Sequence, residues 1–199
     1  AISCILYPPT HDYDYMVQRP QQLMKSFSQL QIPCYYLNNP FLSRPQKGIK
    51  QINPFLYVFN DVDVRPFLKK TRPVVYFIHP DHIETIKQYR PALLVFDTVD
   101  EPSGEFIHLA RNYHRALKNA DVVLATSEKL YNMASAVNPH TYLVPNGCDY
   151  EYFSQAAGRN LPVPDEMKNL PRPIIGYMGA VASWCDLKLV ESLAAVFSD

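Results

Sequence analysis

Seven short apolar runs constrain this chain more than any other feature: residues 2–7, 32–37, 55–59, 73–78, 92–96, 122–125 and 141–144. None alternates polar with apolar; PVVYFI (73–78) and ALLVF (92–96) are continuous. A strand buried on one face alternates, whereas a strand covered on both faces does not. Between the runs lie segments of helical spacing: from Arg19 or Pro20 to Leu30 (with Leu23, Phe27 and Leu30 inward), then 62–70, 81–89, 104–119 and 128–136. The pattern predicts an α/β, Rossmann-like parallel sheet with helices on both faces. Residues 38–53 read as loop, and Ser127 as an ordinary N-cap.

An eighth run, 174–178, stands apart. It ends at Gly179 and Ala180, and beyond Asp186 the residues Leu187, Leu189, Val190, Leu193 and Phe197 make an apolar stripe. Strand, tight turn and helix open a second Rossmann-like domain. The expected organisation is a first domain over 1–162, a linker over 163–172 and, from 173 to 199, the start of a truncated second domain.

Lys plus Arg balance Asp plus Glu at 19 each, which excludes the basic excess of a general nucleic-acid binder. The four cysteines are scattered without a C-x-x-C pair, which argues against zinc and fits a reducing, cytoplasmic setting, with Cys4 and Cys34 as buried core thiols. No apolar run approaches the roughly 18 residues of a membrane span. There is no P-loop, no G-x-S-x-G elbow, and no glycine fingerprint after the first strand, which weakens an NAD-linked reading.

In a parallel sheet, ligands bind beyond the carboxyl ends of the strands. His79 follows one run directly and either orients a ligand or caps a helix; His82 reads as helix surface. Asp97 and Asp100 end the next run and hold hydroxyls or share a proton, unless one caps the following helix with Ser103. Asp12, Tyr13, Asp14, Tyr15, Gln18, Arg19 and Gln22 crowd the first loop and helix start, a mixture that suits carbohydrate, with Arg19 able to receive an anion. A solvated loop is the plain alternative. Asn146 and Gly147 form a turn at the same edge. Gly179 and Ala180 leave backbone N–H groups open to a phosphate or simply pack closely, and Trp184 is a domain contact or a stacking platform.

Four stretches carry a resemblance: QRPQQLMKSFSQ (18–29), LLVFDTVDEPSGEF (93–106), ADVVLATSEKLY with YLVPNGCDYEYF (to 153), and PRPIIGYMGAVASWCDLKLV. In this order they resemble the N-terminal domain of the large retaining group 1 (GT4-like) family of GT-B glycosyltransferases. The closer similarity is to a bacterial branch of teichuronic acid and surface polysaccharide biosynthesis. The resemblance implies an acceptor-side first domain and a donor-binding second one. It implies sugar transfer from a nucleotide sugar, UDP- or GDP-linked, to a hydroxyl of a carbohydrate or lipid-linked acceptor. No tightly bound cofactor and no metal are implied. Peripheral association with the inner face of the plasma membrane is compatible with it. By resemblance, His79, Asp97 and Asp100 are cleft residues with catalytic roles. A non-catalytic sugar or nucleotide-binding module and a sugar-nucleotide epimerase of GT-B fold stay open.

Overall fold

The computed structural model describes residues 2–68, 71–158 and 161–197, in two compact units that divide after Gly147. The first unit is built on one eight-stranded sheet: β1 (Ile5–Tyr7), β2 (Cys34–Leu37), β3 (Gly48–Asn53), β4 (Leu56–Asn60), β5 (Val74–Phe77), β6 (Leu93–Thr98), β7 (Val122–Ala125) and β8 (Thr141–Leu143). Their order is β3-β4-β2-β1-β5-β6-β7-β8, and every neighbouring pair is parallel except β3 with β4. The sheet is therefore mixed, not purely parallel. The chain winds outward from β1 in one direction and from β5 in the other, so a crevice opens between their carboxyl ends.

Alternate residues of each strand serve different cores. Leu6, Val75, Phe77, Phe96 and Val123 pack on one face with Ala116, Leu117 and Ala134. Ile5, Tyr7, Tyr36, Val58 and Tyr76 pack on the other face with Met24 of the first helix. That second face is rich in tyrosine: the rings of Tyr7 lie 4.8 Å from Tyr36 and 5.8 Å from Tyr76. Stacked or tilted rings of this kind add about 0.5–1.5 kcal/mol per pair beyond their burial. Cys4 and Cys34 are buried, and burial pushes the Cys34 thiol up to about 12, so it packs as an inert side chain.

The helices are α1 (Arg19–Gln29), α2 (Arg65–Leu68), α3 (Ala110–Asn119) and α4 (Glu128–Ser135). Pro20 fits the first turn of α1, and the Gln21 side chain returns to accept from the Gln18 backbone N–H at 3.1 Å. Ser127 caps α4 as expected, accepting from Leu130 N–H.

Several expected boundaries move. Residues 38–53 are not all loop: β3 is an antiparallel edge strand, inconspicuous because Ile49 and Ile52 both face solvent. Leu30 was expected inward, but it lies past the helix end and is exposed, while Met24 fills the core. The helix expected over 81–89 is two 3-10 turns, Pro80–Glu84 and Ile86–Tyr89, broken at Thr85. That expected over 104–119 begins as a 3-10 turn, Gly104–Leu109, because Phe106 leaves helical geometry. The helix expected over 62–70 covers only α2, and Lys70 lies outside the described residues.

The second unit carries α5 (Tyr150–Ser154), α6 (Asp165–Lys168) and α7 (Leu187–Val196). The helical half of the expected strand-helix unit is present, capped by Asp186, which accepts from Leu189 N–H at 3.0 Å. The strand half is not. No strand among the described residues lies beside 174–178, and Ile175 and Met178 are exposed. A strand is held by a neighbour that takes its backbone hydrogen bonds, and the run has none.

Candidate functional site

Two polar clusters and a cavity sit at the carboxyl edge of the sheet. The first cluster centres on Asp97. The alternation of β6 turns Phe96 into one core and Asp97 toward α1, where it is fully buried. Arg19, at the first turn of α1, places Nε 2.6 Å from Oδ2 and Nη2 3.3 Å from Oδ1. The Tyr76 hydroxyl, one strand away on β5, donates to Oδ2 at 2.6 Å. The remaining guanidinium nitrogen, Nη1, donates at 3.2 Å to both Pro145 O and Asn146 Oδ1 in the loop after β8. Burial pushes Asp97 upward, and Arg19 and Tyr76 pull it back; the net direction is up. Burial of the Tyr76 phenol beside Asp97 pushes it well above its ordinary value, so it stays a neutral donor.

The second cluster is made of imidazoles. His79 follows β5, and its Nδ1 accepts the Asp81 N–H at 3.3 Å, so the ring proton sits on Nε2. His79 thus caps the turn, as one reading allowed, with its other nitrogen still able to donate. The Thr10 hydroxyl donates to Pro8 O at 3.1 Å, which leaves its oxygen to accept from His82 Nε2 at 2.9 Å. His82 is therefore not helix surface; it ties the 3-10 turn to the β1–α1 loop. His11 Nδ1 is 3.0 Å from the Tyr7 hydroxyl. The His79 ring lies 6.0 Å from those of His82 and His108. Burial lowers His11 and His79, and with the neighbouring imidazoles takes His82 down to about 4. All three are neutral at pH 7.

Beside His11 lies a cavity of about 290 Å³, lined by Thr10, His11, Gln18 and Asn39 and walled by Tyr15 and Phe41. The two rings meet at 5.9 Å. Asp12 shapes the wall. It accepts from Phe41 N–H, Ser43 N–H and the Ser43 hydroxyl at 3.0, 3.0 and 2.8 Å. Burial raises its proton affinity, but these bonds overcome it and hold the carboxyl at about 2. Asp12 is a staple between two loops, already saturated.

The sequence-predicted residues separate accordingly. Arg19, Asp97 and Asn146, expected in three different roles, form one hydrogen-bonded cluster. Asp97 and Asp100 do not come together: Asp97 faces Arg19, whereas Asp100 is half-buried, raised by burial and lowered by His108. Tyr15 lines the cavity, but Asp14 pairs with Lys50 at 2.9 Å, and Gln22 is exposed on α1. Gly147 is the last residue of the first unit. In the second unit Gly179 lies under the Tyr177 ring, whose hydroxyl donates to Ala180 O at 3.0 Å. That turn is separated from the start of α7, where Asp186 already fills the cap. Trp184 is 56% exposed in the same unit. Sequence reasoning missed Thr10, His11, His82 and Tyr76 as site members. Tyr76, the polar-tipped residue inside PVVYFI, was the available signal.

Among the described residues, no three His, Cys, Asp or Glu side chains are placed to hold a metal ion. No helix there is long and apolar enough to cross a membrane.

No protein-family model matches the chain, and no curated protein does. Among solved structures, a chain of sucrose-phosphate synthase from Thermosynechococcus elongatus matches with a TM-score of 0.50 and 14% identity, covering 78% of this chain and 95% of that one. The shared property is the fold. The first unit has the mixed, mostly parallel, helix-flanked sheet of a Rossmann-like α/β domain.

Proposed function

We infer that the protein acts in sugar transfer, as a GT-B glycosyltransferase that moves a sugar from a nucleotide donor to an acceptor hydroxyl. The observation that carries this reading is the cavity beside His11. It combines ring faces with amide and hydroxyl groups, between the loops that follow β1 and β2 at the carboxyl edge of the Rossmann-like sheet. Aromatic faces pack on the C–H faces of sugar rings, and amides and imidazoles satisfy hydroxyls. Neutral His79 keeps a donor nitrogen for an oxygen of the reacting sugars, while His11 borders the acceptor side.

In this reading the first unit receives the acceptor, a carbohydrate or lipid-linked glycan of bacterial surface polysaccharide. The second unit begins the donor side, with Gly179, Ala180 and Trp184 near a UDP- or GDP-linked sugar. Asp100 is the carboxylate left for the reacting groups, since Asp97 is committed to Arg19. Catalysis would rest on placing the hydroxyl and stabilising the departing diphosphate, with no metal and no resident cofactor. The sugar is transferred with retention, and the enzyme works in the cytoplasm, at the inner face of the plasma membrane when its acceptor is lipid-linked.

The test is a panel of nucleotide sugars and envelope glycans offered to the full natural gene product, with products weighed by mass spectrometry. A transferred sugar that disappears in His79→Ala is the expected result. Saturable binding without product would favour a non-catalytic module, and an isomerised free sugar would favour an epimerase.

A further inference from the structure

The Asp97 cluster does something that neither sugar binding nor catalysis explains. Arginine presents its donors as a rigid fork. Arg19 uses one edge of that fork, Nε and Nη2, on a carboxylate with no solvent exposure, and turns the remaining nitrogen to the loop 145–147. That loop has little else to hold it. Val144 N–H still bonds Ala125 O at 2.8 Å, the last ladder bond of the sheet edge. Beyond it, Arg19 is the hydrogen-bond partner of Pro145 O and of the Asn146 side chain among the described residues. Asn146 and Gly147 are exposed, and Gly147 is where the first compact unit stops.

We propose that the Arg19–Asp97 pair is a connector latch: a buried ion pair that fixes the exit of the chain from the first unit by holding Pro145 and Asn146 against the start of α1. Arg19 and Asp97 are then positioning residues, not ligand-binding ones. An apolar pair of the same volume would fill the space at equal or lower energetic cost, because desolvating two charges is expensive. It would leave no donor for the loop. The latch also explains why the three residues come from chain segments far apart: each belongs to a different element that meets at this edge, the first turn of α1, the end of β6 and the loop after β8. The proposal does not depend on the glycosyltransferase reading.

Cys148 supplies the probe, being exposed and two positions after Asn146 in the chain, while Cys4 and Cys34 are buried. In a Cys185→Ser background, a nitroxide on Cys148 of the whole chain reports local mobility by its electron spin resonance line. Arg19→Met is expected to shorten the label's rotational correlation time by about two-fold or more, and Asn146→Ala by less, since Pro145 O keeps its bond. Tyr76→Phe removes a bond to Asp97 and none to the loop, whose partner is Arg19 Nη1. It should lower the melting temperature and leave the line unchanged. An unchanged line in folded Arg19→Met overturns the latch. So does an equal sharpening in Tyr76→Phe, which would mean general loosening. Should Arg19→Met fail to fold, the exposed Asn146→Ala variant decides, and an unchanged line there overturns the proposal.

Discussion

The Asp97 cluster and the histidine cluster lie on the same edge of the same sheet, yet they differ in what remains to be bonded. Around Asp97 both carboxylate oxygens, the tyrosine hydroxyl and all three arginine nitrogens are engaged. Around His79 one ring nitrogen is used by a backbone N–H and the other keeps its proton for a partner. Position at the carboxyl edge of the strands is shared by the two, so position alone does not make a residue functional. Saturation does the sorting: a group whose hydrogen bonds are all internal has nothing to offer a substrate without first being released.

The largest expected effect tests the saturated side. Asp97→Ala leaves the Arg19 charge buried and unpaired, and should cost about 3–5 kcal/mol in urea unfolding. A loss below about 1 kcal/mol would mean that the pair is not doing the holding described, and would erase the contrast. The next effect belongs to the histidines. His82 falls from 6.5 to about 4 on folding, so between those values the unfolded chain binds more protons than the folded one. Stability is therefore complete above pH 6.5 and declines as the pH falls through about 4, by an amount on the order of 3 kcal/mol. Chemical denaturation at a series of pH values checks the slope, which should flatten in His82→Gln. Asp12 acts lower down: held at about 2, its contribution is present above 3.8 and is lost only as the pH drops through 2.

Smaller still is the cavity wall. Phe41 is 74% exposed, so Phe41→Ala should leave unfolding nearly unchanged while weakening binding of the glycan acceptor proposed above by up to about ten-fold, the worth of one ring contact. Acceptor titration by calorimetry reads it, and equal binding by the variant would remove the cavity from the site. The smallest effect is expected at Lys50→Ala. Its pair with Asp14 is open to solvent on both sides and should be worth no more than about 0.5 kcal/mol, with no change in binding. A marked loss of binding there would place Asp14 in the candidate site.

The sequence by itself determined the class of fold. Continuous apolar runs separated by helical spacing admit few solutions other than a sheet covered on both faces, and β1, β2 and β4 to β8 lie where those runs lie. It also pointed to the carboxyl edge as the candidate functional edge, because residues just after such strands project there. The edge strand β3 was hidden, since a strand exposed to solvent carries little apolar signal. The run 174–178 was misleading, since apolar content is local but a strand exists only beside another strand. What only the tertiary structure decided was the role of each polar residue. Asp97 and Asn146 lie 78 and 127 positions from Arg19, and nothing in their local spacing says that the three bond. His82 looked like helix surface until Thr10, 72 residues away, was brought to its ring. Local sequence sets backbone periodicity and burial. Whether a charge is spent or available depends on long-range partners, and those are supplied by the packing of the sheet.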